Sequence, residues 1–214
     1  MRSGKDGYHH GSLHDVLLAQ ALEALEKNGV GGLSLRALAE AAGVSKTAPY
    51  RHFADKRELL VALAAEGFGL LATRLEAVVG GAAGVDAVPG TAAVGDGGGR
   101  GVGQASAILA LRTAYLAFAQ ERPALYGLMF SKLGYSLHSE RCRANSERAL
   151  GALAAAVARE QALGWKPGVD PAALMLSVWA QVHGWAGILI EGLLPEPFAA
   201  ASGDWERLSG ALLG

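Results

Sequence analysis

Three stretches of this sequence hold residue types that could do covalent or metal chemistry, and each falls short. Residues 97–106, GGGRGVGQAS, space their glycines as a phosphate-cradling loop does. Such a loop closes on Lys followed by Ser or Thr, whose ammonium and hydroxyl meet phosphate and magnesium; here Gln104 and Ala105 stand in those places and no strand leads in. Cys142 lies between Arg141 and Arg143, whose charges would lower its pKa and favour a thiolate. No histidine at local spacing could serve it as a base, so an incidental helix cysteine is the simpler reading. His9 and His10 could ligate a metal, yet no carboxylate or cysteine is spaced to complete the set, and a basic arm accounts for them more simply. Neither catalysis nor a cofactor or metal is expected.

Binding a polyanion asks for less: a local excess of cations on an element that fits a groove. The formal net charge is −1 over 214 residues, so the bulk balance points to no particular partner. Between Ser34 and Arg57, however, Arg36, Lys46, Arg51, Lys56 and Arg57 face Glu40 and Asp55 alone, and His9, His10, His14 and His52 all fall in the first quarter of the chain.

The elements that would carry these residues are helical. Sustained alternation of β-branched residues is absent, whereas apolar residues recur at helical spacing almost throughout, which makes the fold class all-α. A first helix over residues 12–28 has Leu18, Leu22 and Leu25 on one face and stops at Gly29. After a loop at 30–33, Ser34 can cap a second helix with Leu35, Leu38, Ala39 and Ala42 as its buried stripe, ended by Gly43. Ser45 can cap a third short helix over 46–52. Asp55, with Glu58 three positions on, opens a fourth over 55–79 that carries Leu60, Leu63, Phe68, Leu71 and Leu75.

Residues 80–103 hold too much glycine for a helix and too few large apolar side chains for a core, and are expected to be a mobile loop. Further helices are expected over 104–121, 123–131, 138–163, 171–193 and 204–213.

The stretch SLRALAEAAGVSKTAPYRHFADKRELL places its helices in the spacing of a helix-turn-helix, with Leu38, Ala42, Val44 and Phe53 as the wedge that holds two of them apart. Lys46 and Thr47 in the first turn of the second helix would reach base edges. Ser45 and the unbonded N–H groups there suit a phosphate, and Tyr50, His52 and Lys56 would reach the flanking backbone. Pro49 could lie against a thymine methyl. The competing reading is a compact three-helix module of some other protein, with Tyr50 and Phe53 as core aromatics and the basic residues a solvated face.

The same stretch, preceded by one helix and followed by a long fourth, resembles the TetR family of repressors. GYHHGSL near the start and Trp179-Ala-Gln-Val-His183-Gly184 later resemble the subgroup named for a Trp-His-Gly signature. The resemblance implies a helix-turn-helix domain over 1–58 and a helical ligand-binding and dimerisation domain over 59–214. It also implies a homodimer on a palindromic double-stranded operator and an unidentified small-molecule effector. It places Ser34, Arg36, Ser45, Lys46, Thr47, Pro49, Tyr50, His52 and Lys56 at the DNA. Thr47-Ala48-Pro49 departs from the family's usual pattern, so the operator cannot be inferred from it.

Within the second domain the resemblance makes Tyr115, Phe118, Tyr126, Met129, Phe130 and Trp179 pocket walls, although aromatic and Met residues at this spacing also suit a plain core. Trp179 and His183, four apart, share a helix face. For His183 a core or interface role is weighed against a ligand contact. Arg112, among Leu109, Leu111 and Tyr115, is read first as a solvated or interface arginine. One cysteine permits no internal disulfide, the first residues hold no apolar signal, and Arg112, Gln181 and His183 interrupt the longest apolar runs, so a cytoplasmic protein is expected. A helical ligand-binding or scaffold protein whose N-terminal module contacts protein instead of DNA is the alternative to a repressor.

Overall fold

The computed structural model describes residues 13–81, 106–131 and 139–194. Among them the chain forms seven α-helices and one short 3-10 helix, without a strand. The order is α1 (Leu13–Gly32), α2 (Leu35–Ala41), the 3-10 helix (Ala48–Arg51), α3 (Lys56–Gly81), α4 (Ala107–Glu121), α5 (Pro123–Met129), α6 (Glu140–Ala162) and α7 (Pro171–Ile190). The expected mobile loop at 80–103 lies outside the described residues except for Gly80 and Gly81, which still belong to α3. The expected helix over 204–213, the phosphate-loop-like stretch up to Ala105, and His9 and His10 also lie outside them.

Two compact units divide the chain inside α3: Met1–Phe68 with Arg122–Arg143, and Gly69–Glu121 with Ala144–Gly214. In the first unit α1 packs on α2 and α5. The buried stripe of α1 is Leu17, Leu18, Ala21 and Leu25; Leu22, expected among them, is half-buried, because the stripe runs through Ala21 instead. Gly29 breaks the helix as expected, with φ +65° where a side chain would be strained, but the chain then makes one more turn to Gly32. α2 ends in a Schellman arrangement: Gly43 takes φ +67°, Val44 N–H bonds the Ala39 carbonyl at 3.0 Å and Gly43 N–H bonds that of Glu40 at 3.1 Å.

α3 opens on a capping box. Glu58 N–H donates to Asp55 Oδ1 at 2.8 Å, and the Glu58 carboxylate reaches back one residue further than the usual geometry, to the N–H of Ala54. Interior Gly67 costs helix propensity but gives room, since a Cβ there would stand 2.7 Å from Met129 Sδ and 3.1 Å from Leu125 Cδ1. α5 is thereby seated on α3, and the rings of Phe68 and Phe130 meet edge to face at 5.4 Å.

α5 starts at Pro123, where a missing N–H is tolerated, and Arg122 before it supplies no side-chain cap. The cap comes from α1: Glu26 accepts from Ala124 N–H at 3.2 Å and Leu125 N–H at 3.0 Å. Glu66 and Arg141 add an ion pair at 2.8 Å.

In the second unit α4 packs on α7. The buried Glu160 of α6 caps α4 by accepting from Ala107 N–H at 2.6 Å, and α7 begins on Asp170-Pro171, with the Asp170 carboxylate accepting from Ala173 N–H at 3.1 Å. Arg74 with Glu121, and Arg148 with Glu76, pair through two hydrogen bonds each. α7 stops at Ile190 instead of residue 193, because Gly192 adopts φ +63° and Leu193 N–H turns back to the Ile188 carbonyl.

Candidate nucleic-acid interface and effector residues

The recognition segment is tighter than its sequence suggests. Pro49 has no N–H to give the Ser45 carbonyl four residues back, and its ring would crowd that carbonyl, so Ala48 N–H takes the bond instead at 2.9 Å. The turns at Tyr50 to Thr47 and His52 to Pro49 follow the same three-residue pattern. The expected α-helix over 46–52 is therefore a 3-10 helix over Ala48–Arg51, with Thr47 at its N-cap position. Ser45 does not cap it; its hydroxyl lies 3.2 Å from that of Thr47. Likewise Ser34 stands before α2 in extended conformation, but its side chain makes no cap bond.

Of the residues that the sequence points to DNA, Ser34, Arg36, Ser45, Lys46, Thr47 and Tyr50 are exposed, and they cluster at the start of α2 and across the turn after it. Tyr50 is 48% exposed, which excludes it from the core. His52 is half-buried and meets the ring of His14 at 6.1 Å, while His14 lies on Phe53, 2% exposed, at 5.1 Å. Lys56 is half-buried with its ammonium 3.5 Å from the Gly31 carbonyl. Pro49 is buried in the 3-10 helix, which packs against α2. Arg51, at the end of the turn, is a further exposed cation there that the resemblance does not single out.

The aromatic and Met residues of the expected pocket fall into two groups. Tyr126, Met129 and Phe130 belong to the first unit, where Tyr126 and Phe130 stack at 4.8 Å. Tyr115, Phe118, Trp179 and His183 belong to the second. There the Tyr115 hydroxyl lies 3.1 Å from His183 Nδ1, and the Trp179 ring lies 5.6 Å from the imidazole. Burial pushes the His183 imidazole below its ordinary value, favouring the neutral ring.

Two ionisable residues differ from their sequence reading. Cys142 is 5% exposed and its thiol is pushed up by burial, which overrides any lowering by Arg141 and Arg143, both exposed to water. Arg112, expected to be a solvated or interface arginine, is 1% exposed, because its position on α4 lies on the same face as Ile108 and Tyr115.

Residues 17–63 match the family model for bacterial regulatory proteins of the tetR family, and residues 108–211 match that for a tetracyclin repressor-like C-terminal domain. The chain belongs to the TetR family. It is thus a DNA-binding transcriptional regulator with an N-terminal helix-turn-helix, in a family of regulators and not of enzymes. A protein of unknown function from Rhodococcus sp. RHA1 is 35% identical, with 95% of this chain and 98% of that one covered at a TM-score of 0.70. The TetR family regulator PfmR from Thermus thermophilus is 24% identical, with 79% and 84% covered at 0.52. AibR, in complex with isovaleryl coenzyme A and operator DNA, is 17% identical, with 80% and 84% covered at 0.52. The last two share the fold of this chain, and PfmR shows it to be that of a TetR family regulator. No curated protein matches the chain.

Proposed function

We propose that this TetR-family regulator is a cytoplasmic homodimeric repressor that leaves a palindromic operator when a small apolar or amphipathic molecule binds its C-terminal domain. The observation that carries the DNA side is the exposed cluster of Ser34, Arg36, Ser45, Lys46, Thr47 and Tyr50 on α2 and the turn after it. We read residues 1–58 as the DNA-binding domain and 59–214 as the ligand-binding and dimerisation domain. His52 and Lys56 lie at the edge of the cluster, and Pro49 supports it from inside.

The effector residues are narrowed to Tyr115, Phe118, Trp179 and His183, because Tyr126, Met129 and Phe130 serve the core of the first unit. AibR shares the fold and is in complex with isovaleryl coenzyme A and operator DNA, which supports a small-molecule site and a DNA site on one chain here. The Trp179, His183 and Gly184 run supports membership of the Trp-His-Gly subgroup. A dimer is supported by α7, which is long and apolar enough to cross a membrane yet buries Leu174, Val178, Val182 and Ala186 and leaves Leu176 58% exposed. A second copy would cover that face.

The test is binding of the full chain to the duplex upstream of its own gene, measured against salt. A repressor binds in about the nanomolar range and loses affinity steeply as salt rises, since each neutralised phosphate releases counterions. No binding at low salt would refute the DNA-contact set. A stable monomer by light scattering at micromolar concentration would refute the dimer.

A further inference from the structure

His14 continues the buried stripe of α1, since Leu17, Leu18 and Ala21 follow it at helical spacing. Its ring meets the end of the recognition turn. It lies on Phe53 at 5.1 Å, tilted by 32°, and meets the His52 ring close to edge-on, at 6.1 Å and 67°. Within its own helical turn, His14 Nδ1 lies 3.2 Å from Asp15 Oδ1. The N–H groups of His52 and Phe53 both bond the Pro49 carbonyl, at 3.0 and 2.9 Å, so the backbone at the end of the turn is held from within the turn. The half-buried His52 side chain keeps two soft torsions, and the His14 ring restricts them from α1. An imidazole donates along an N–H in the plane of its ring, so the orientation of that ring decides what it can reach.

We propose that His14 is a positioning residue for DNA binding: without touching the duplex itself, it fixes the His52 imidazole in the orientation that meets a backbone phosphate. This rests on the reading of His52 at the edge of the DNA-contact cluster and adds to it the side chain that holds it there. A role through ring packing fits the place of His14, which lies on the buried stripe of α1 and against Phe53, itself 2% exposed.

The test is gel-shift titration of the full chain on the duplex upstream of its own gene and on random duplex, with circular dichroism to confirm that each variant is folded. His52→Ala should weaken both by a similar factor, as loss of a phosphate contact does. His14→Ala should weaken both by about three- to tenfold, the range that an aromatic edge contact is worth. The double variant should bind no more weakly than His52→Ala, because the two residues act through one contact. His14→Phe, which keeps a ring on Phe53 and beside His52, should bind as the wild type does. His14→Arg, which offers a phosphate a cation but no ring, should bind as His14→Ala does. Unchanged binding for His14→Ala beside a weakened His52→Ala overturns the inference and leaves the DNA reading of His52 intact. An additive double variant overturns it too, as does His14→Arg binding where His14→Phe does not, which would make His14 itself the phosphate contact. Unchanged binding for His52→Ala removes His52 from the interface, and this inference falls with it. Should His14→Ala fail to fold, His14→Phe against His14→Arg decides.

Discussion

Leu125 donates its backbone N–H to Oε1 of Glu26 at 3.0 Å, 99 positions earlier in the chain. With Ala124 on the other oxygen, one carboxylate satisfies two of the N–H groups that α5 leaves open, and its charge lies at the positive end of the helix. Glu26→Ala should therefore destabilise the protein by about 1 kcal/mol, the usual cost of a lost cap, with Glu26→Gln in between. Denaturant unfolding checks this; an unchanged midpoint for Glu26→Ala would show that water replaces the cap at no cost.

Gly67→Ala sets helix propensity against packing. The change favours α3 by about 1 kcal/mol, but the new Cβ meets Met129 Sδ at 2.7 Å, and Leu125 at 3.1 Å blocks one escape route. Met129 has no exposed surface, so it must repack inside the core. The expected result is a net loss of about 1 kcal/mol, as overpacking outweighs propensity. Gly80→Ala, with nothing within 4 Å of its Cβ, should not destabilise.

His183 makes stability depend on pH in a known direction. Burial holds its folded pKa below the ordinary 6.5, so between the two values the unfolded chain binds a proton that the folded chain does not. Its contribution is complete above the ordinary value and is lost as pH falls through the folded one. Thermal midpoints from about pH 7.5 down to about pH 5 should drop more for the wild type than for His183→Gln. Parallel curves would show that His183 does not titrate on unfolding.

Tyr50→Ala and Lys46→Ala should both weaken duplex binding without unfolding the protein, since both side chains are exposed. Tyr50, read as a phosphate contact, should cost similar affinity on every sequence. Lys46, read as a base contact, should cost most on the preferred operator. Gel-shift titrations on operator and random duplex separate the two; unchanged binding for both variants would remove them from the interface.

Short-range features were legible from residue types because every partner lies within about one turn. Gly43 after α2, Gly29 in α1, the Asp55 and Glu58 box and Pro123 at the start of α5 all act through atoms a few residues away. The expected helix over 46–52 turned on Pro49, because the Ser45 carbonyl is claimed by Ala48 three residues on. The exposure of Ser34, Arg36, Ser45, Lys46, Thr47 and Tyr50 was legible too, since their polar character and their place in the helix-turn-helix spacing point the same way.

Apolar spacing says that a helix has a buried face, but not which helix meets it or which polar group shares the contact. Hence Glu26 on α5, Glu160 on α4 and the Tyr115–His183 bond, with partners 98, 53 and 68 positions apart, left no trace in the local pattern. The same holds for Arg112, whose charge argues for water while its position between Leu111 and Tyr115 argues for the core. Periodicity cannot weigh a long amphipathic side chain against its own helix face. Packing could, because burial is decided by what the other helices of the unit leave open to solvent.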